Sequence, residues 1–167
     1  MPFDPSQHHL NSSLRENIIE HLFIGEMLKL LWRRGVTDCE ILKSEFDGYG
    51  YDLVVSVGKL TRHLQMKSGN KNPTRVSVNL SLAAKQSGCV LFVVVNDDLE
   101  FVRFFWLGDE PGAPLPDIKS KSIAKRTTRN KQGDRPEREN HRELKRIDFT
   151  ELSSFEEVVD ELVGLHA

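Results

Sequence analysis

Paired cysteines are missing from this sequence: Cys39 and Cys89 stand fifty residues apart, with no CxxC and no accompanying Cys/His ligand set. That excludes a disulfide framework and gives no zinc-site signal, and it suits a reducing cytosol. No apolar run approaches the roughly 20 residues needed to span a bilayer. The start, MPFDPSQHHLNSS, has no basic stretch leading into an apolar core, so no secretory signal is expected. An excess of one charge is missing too. The net charge is -2, which decides nothing about nucleic acid, because a polyanion responds to how charge is distributed. There is no internal repeat, and GNKNPT at 69–74 lacks the GxxxxGK[ST] spacing of a phosphate loop. At 167 residues, 38% hydrophobic and 29% charged, the chain has the makings of a single soluble, cytoplasmic domain with no membrane partner.

What is present reads as α/β. Residues 1–12 form an irregular arm, His8 and His9 included. Ser12 or Ser13 followed by Glu16 has capping-box spacing, and a helix is expected over 14–34, closed by Gly35. Its apolar positions cover most of the circumference, which predicts a largely buried helix. Strands are expected over 40–46, 51–57 and 60–67. The last two are separated by only Gly58 and Lys59, the length of a tight hairpin. A short helix over 80–86 competes with a strand over 76–82. The apolar run at 89–95 predicts a strand in mid-sheet, with 100–107 returning beside it after Asn96-Asp97-Asp98. Trp32 and Trp106 are expected in the core.

Beyond Gly108 the composition changes. Three prolines fall in 108–116, and residues 119–146 carry 11 Lys/Arg against 4 Asp/Glu with almost no apolar side chains. This stretch is expected as a surface loop or basic arm whose Lys125, Arg126, Arg129 and Lys131, with Lys71 upstream, suit phosphate contacts. A final amphipathic helix follows Ser153 or Ser154 and runs to about Leu165. The chain thus divides into a core at 14–107, a proline-containing and basic segment at 108–150, and a C-terminal helix at 151–167, all within one domain.

Chemistry concentrates on the hairpin. Side chains alternate along a strand, so Gln65 and Lys67 share a face with His63, and Asp52 lies as far from the turn as they do. A carboxylate, an amide oxygen and an ammonium then converge at one sheet end. Metal-assisted phosphodiester hydrolysis uses such a set: hard oxygens for Mg²⁺, and a Lys for the attacking water or the developing charge. Gly48 and Gly50 before Asp52 leave the backbone free to bring its carboxylate close to a substrate. The bland alternative is a cross-strand ion pair of Asp52 with Lys67, worth under about 1 kcal/mol. A carboxylate within the apolar face of the first helix is costly unless paired or metal-bound. That favours Glu20 over Glu26, which lies toward the edge beside Lys29 and Arg33.

The long Glu-bearing helix followed by GYGYDLVV, HLQMKS, a short helix and an apolar strand resembles the PD-(D/E)XK, or restriction endonuclease-like, superfamily over about residues 14–107. The resemblance implies a mixed β-sheet flanked by helices, here with a basic C-terminal extension ending in a helix. It also implies a Mg²⁺- or Mn²⁺-dependent DNA endonuclease in restriction, mobile-element or repair biology. Asp52, Gln65 and Lys67 take the motif positions, the helix acid joins them, and the Met66 main-chain carbonyl completes the metal shell. Gln65 stands where the family usually has an acid, and the missing charge lowers the metal affinity and turnover to expect. The alternatives are a catalytically silent nuclease-fold module that binds DNA, and a protein-binding subunit of a defence system. Cutting both strands would favour a homodimer, though no heptad pattern supports one.

Overall fold

A computed structural model of the chain describes residues 10–46 and 48–165, so most of the expected N-terminal arm, with His8 and His9, lies outside the described residues. The elements in order are helix α1 (Ser12–Arg33) and strands β1 (Cys39–Lys43), β2 (Leu53–Val57), β3 (Leu60–Gly69), β4 (Val76–Asn79), β5 (Gly88–Val95), β6 (Phe101–Leu107), β7 (Ile123–Lys125), β8 (Glu137–Leu144) and β9 (Thr150–Leu152), then helix α2 (Phe155–Val163). A 3-10 turn over Leu80–Ala84 follows β4, so both readings of that stretch hold in part. The fold is mixed α/β. A six-stranded sheet in the order β1-β2-β3-β5-β6-β9 carries the two helices on one face, and a three-stranded sheet, β4-β8-β7, lies on the other.

β2 and β3 pair antiparallel about the two-residue turn, with Val57 opposite Leu60 and Leu53 opposite Leu64. Gly58, at φ 58°, supplies the left-handed residue such a turn demands. β3 then runs parallel to β5, which makes the large sheet mixed. β5 sits between β3 and β6 and is covered on both sides: Cys89, Leu91, Val93 and Val95 join the helix-side core, Val90 and Val94 the other. That double burial is why its sequence is apolar without a break.

Three expectations change. α1 buries only Ile19, Phe23, Met27 and Leu31, one residue per turn, while Trp32 is 75% exposed. The helix lies on one face of the sheet instead of between layers, so one stripe suffices; Trp106 is buried as expected. The helix also begins at Ser12 after Asn11, with no side-chain cap, so Ser12, Ser13 and Glu16 all lie within it. The third change is the basic segment, which contributes β7 and β8 to the small sheet. Val76 and Val78 of β4 and Leu144 of β8 pack there with Leu115 and Ile118 against β5 and β6. Isolated apolar residues suffice because the large sheet supplies the rest of that core. α2 matches its sequence signals. Ser154 Oγ accepts from the Glu157 N–H, and Gly164 closes the helix at φ 69°.

On the helix side, Arg62 of β3 is wholly buried. Its Nη2 donates to the carbonyls of Asp109 (2.7 Å) and Glu161 (2.9 Å), and its guanidinium lies 5.4 Å from the Trp106 ring centre. Burial lowers its pKa, against the raising influence of Cys89, Glu161 and Asp109. The side chain ties α2 and the 109 loop to the sheet. Arg62→Ala should reduce unfolding free energy in urea by about 3 kcal/mol, through the cavity and two carbonyls left without a donor. Arg62→Met, which refills the volume, should cost clearly less.

Candidate functional site

At the end of the hairpin away from its turn, β2 stops at Leu53 and the chain arrives through Gly50-Tyr51-Asp52. Gly50 is buried at φ 79°, and a Cβ there would come within 2.9 Å of the Leu82 backbone nitrogen. The position requires glycine for its backbone conformation and for its approach to the 3-10 turn, which fixes the entry into Asp52. The Asp52 N–H donates to Leu64 O at 2.8 Å, carrying the antiparallel pairing one residue further. Its Oδ2 accepts from the Met66 N–H at 2.7 Å. The carboxylate is thereby anchored to the backbone of β3, between Gln65 and Lys67.

A cavity of about 410 Å³ opens here between α1, the chain after β1 and the end of β3. Asp52, Met66 and Lys67 line it, together with Glu20 from α1. Glu20 is 15% exposed and its Oε1 lies 2.7 Å from Lys43 Nζ, which lines the same cavity. Glu26 is elsewhere: exposed, paired with Lys29 at 3.3 Å, it lines a groove beside Phe101 and Phe155. Of the two acids expected as candidates, Glu20 and not Glu26 shares a cavity with Asp52. Glu16 and Glu45 line it as well. Glu16 sits one helical turn before Glu20, so i,i+4 spacing was its signal, obscured by its capping-box position. Lys43 carried no sequence signal beyond its charge.

Gln65 faces a different space. It is 3% exposed, its Oε1 has no hydrogen-bond partner, and it lines a second cavity, of about 230 Å³, with Arg75, Arg138 and His141. Lys67 and Ser68 line both cavities. The expected convergence is therefore divided: Asp52, Glu20, Met66 and Lys67 come together, and Gln65 lies across the sheet from Glu20. Alternation is the cause. Met66 points toward the helices, and Gln65 toward the small sheet. His63, on the same face as Gln65, bonds the Gln86 carbonyl through Nδ1 at 3.0 Å and packs edge-on against Tyr51.

Among the described residues, no three His, Cys, Asp or Glu side chains form a group able to hold a metal ion. The carboxylate cavity offers Asp52 from the hairpin and Glu20 from α1 in one lining, with Glu16 and Glu45 beside them. Mg²⁺, which commonly keeps several waters and takes one or two carboxylates, fits that donor set. Neither cysteine lines this cavity. Burial pushes the Cys89 thiol up to about 12, and Cys39 is also raised, first by burial and then by Asp38.

The expected phosphate contacts are all exposed, in two separate stretches of the chain. Lys71 follows β3, while Lys125 ends β7 and Arg126, Arg129 and Lys131 belong to the β7–β8 connection. That turn is closed by Asn130, whose N–H donates to Asp134 O at 2.8 Å, and by Arg129 Nη1, which donates to Gly133 O at 2.7 Å. No described helix is long and apolar enough to cross a membrane. Compared with models of known protein families and with curated proteins, the sequence finds no match.

Because Asp52 holds the Met66 N–H, Asp52→Ala should destabilise the metal-free protein by about 1–3 kcal/mol, leaving a partly buried donor unpaired. Asp52→Asn keeps an acceptor oxygen and should cost less. Chemical denaturation in EDTA measures both, and equal stability of the two variants would contradict the anchoring role.

Proposed function

We propose that the chain is a divalent-metal-dependent endonuclease of the PD-(D/E)XK type, with a restriction endonuclease-like core, hydrolysing phosphodiester bonds of DNA. The observation that carries this reading is the single cavity lined by Asp52, Glu20, Met66 and Lys67. Asp52 and Glu20, with the Met66 carbonyl, would hold Mg²⁺ or Mn²⁺. Gln65, lining the other cavity, is left out of that shell. When bound, the metal supplies Lewis acidity and a water of lowered pKa.

The chain's own groups do the rest. The bond from the Met66 N–H orients the Asp52 carboxylate before any ligand arrives, so less ordering remains for binding. Lys67 places an ammonium at the mouth shared by both cavities, where it can stabilise charge developing on a phosphoryl oxygen. Lys43 neutralises Glu20 at 2.7 Å, and would give way when a cation of higher charge takes its place. The exposed bases of the β7–β8 connection and Lys71 supply salt-sensitive attraction for the backbone. A restriction, mobile-element or repair role, with a second copy or a defence-system subunit as partner, belongs to the same proposal.

The Glu20–Lys43 pair and the uncharged Gln65 also favour a second reading, a nuclease-fold module that binds DNA or a protein without cutting. A cleavage assay separates the two. Supercoiled plasmid, linear duplex, single-stranded and branched DNA are incubated with Mg²⁺, Mn²⁺ or EDTA. The nuclease reading predicts metal-dependent products that fall at least about 100-fold in Lys67→Ala. No products on any substrate, with wild type and variant binding DNA equally, would favour the silent module.

A further inference from the structure

The second cavity differs from the first in charge. The first carries Glu16, Glu20, Glu45 and Asp52 in its lining, whereas the second has Lys67, Arg75 and Arg138 and no acid. Arg138 is held in place: its Nη1 donates to Ser77 Oγ at 3.4 Å, and its Nη2 lies 2.7 Å from His141 Nε2. A guanidinium can only donate, so in this contact His141 Nε2 is the acceptor. Arg138 retains further N–H groups beyond those two bonds. The β7–β8 register shifts between Ile123 and Ala124, and such an irregularity lets Arg138 and His141, three residues apart, line one cavity. Arg75 Nε lies 3.6 Å from Glu143 Oε1, leaving its terminal nitrogens for another acceptor. Gln65, almost wholly buried and with Oε1 unsatisfied, forms part of the cavity wall.

We propose that this cavity is a phosphate-binding site, separate from the carboxylate cavity, with Arg138 and Arg75 as its anion-holding groups. Two arginines converging on an acid-free cavity match the forked geometry of a phosphate better than scattered surface lysines do. Lys67 and Ser68 join this site to the carboxylate cavity, so a strand lying across the end of β3 would place one phosphate near Asp52 and a neighbouring phosphate at Arg138. That the phosphate belongs to a nucleic-acid strand rests on the nuclease reading; that the cavity binds phosphate does not.

The test is binding in EDTA, where no metal-dependent turnover occurs. Fluorescence anisotropy follows labelled single-stranded oligonucleotides with a 5′-phosphate or a 5′-hydroxyl, with inorganic phosphate as competitor. Arg138→Gln should weaken binding about tenfold and remove the competition by phosphate, Arg138→Lys should recover part of it, and Glu26→Gln, in the separate groove beside Phe101 and Phe155, should leave both unchanged. A loss confined to the 5′-phosphorylated strand identifies a strand end as the ligand, and an equal loss on both identifies an internal diester. Arg75→Gln, at an exposed position, covers the case in which Arg138→Gln fails to fold, and should weaken binding in the same sense. Wild-type binding and undiminished phosphate competition in a folded variant would overturn the proposal. Cleavage with unchanged binding in these variants sinks the phosphate site alone, and phosphate binding without cleavage sinks the nuclease alone.

Discussion

Strand β3 is bonded along both edges, antiparallel to β2 and parallel to β5, and both of its faces are covered. Its strict alternation therefore sends neighbouring residues into different environments. Arg62 and Leu64 enter the helix-side interior, while Gln65 and Lys67 turn toward the small sheet. A register slip of one residue would exchange the two sets and drive His63 or Gln65 into the buried place of Leu64, which the two-residue turn at Gly58 prevents. Everything in the candidate site inherits this constraint. Asp52 reaches β3 only because the hairpin is in register, and there its Oδ2 accepts from the Met66 N–H.

The consequence is a division of charge across the end of one strand. Acids gather between α1 and the hairpin, bases between β3 and β8, and Lys67 stands at the junction. Such a division suits a ligand that brings both a cation and a polyanion. Lys43 satisfies Glu20 in the meantime, so the acidic side is not left uncompensated.

Local signals made the hairpin and the central strand legible: a two-residue turn with glycine, and an apolar run too long for a half-exposed strand. The cap of α2 was likewise written in Ser154 and Glu157. What the sequence hid depended on distant pairing. Nothing in ERENHREL announces a strand, because β8 is completed by β4 and β7 rather than by its own apolar face. Trp32 looked like core because helical periodicity counts apolar residues without knowing that only one stripe will be covered. At the site, the proximity of Asp52 to residues 65–67 followed from counting back from the turn. The separation of Gln65 from Glu20 did not, because it depends on which layer covers each face. Arg75, Arg138 and His141 come from β4's approach and from β8, segments without a recognisable motif, and only the packing of the second sheet brings them together.

The central claim is that Asp52 and Glu20 together form a cation site. Titration of Mn²⁺ into the protein, followed by the loss of the free-ion electron paramagnetic resonance signal, tests it without requiring any substrate. The account predicts one Mn²⁺ per chain, weakened at least about tenfold by Glu20→Gln and unaffected by Glu26→Gln, in line with a carboxylate ligand lost from a small donor set. Equal Mn²⁺ binding by wild type and Glu20→Gln, or none by either, would contradict it.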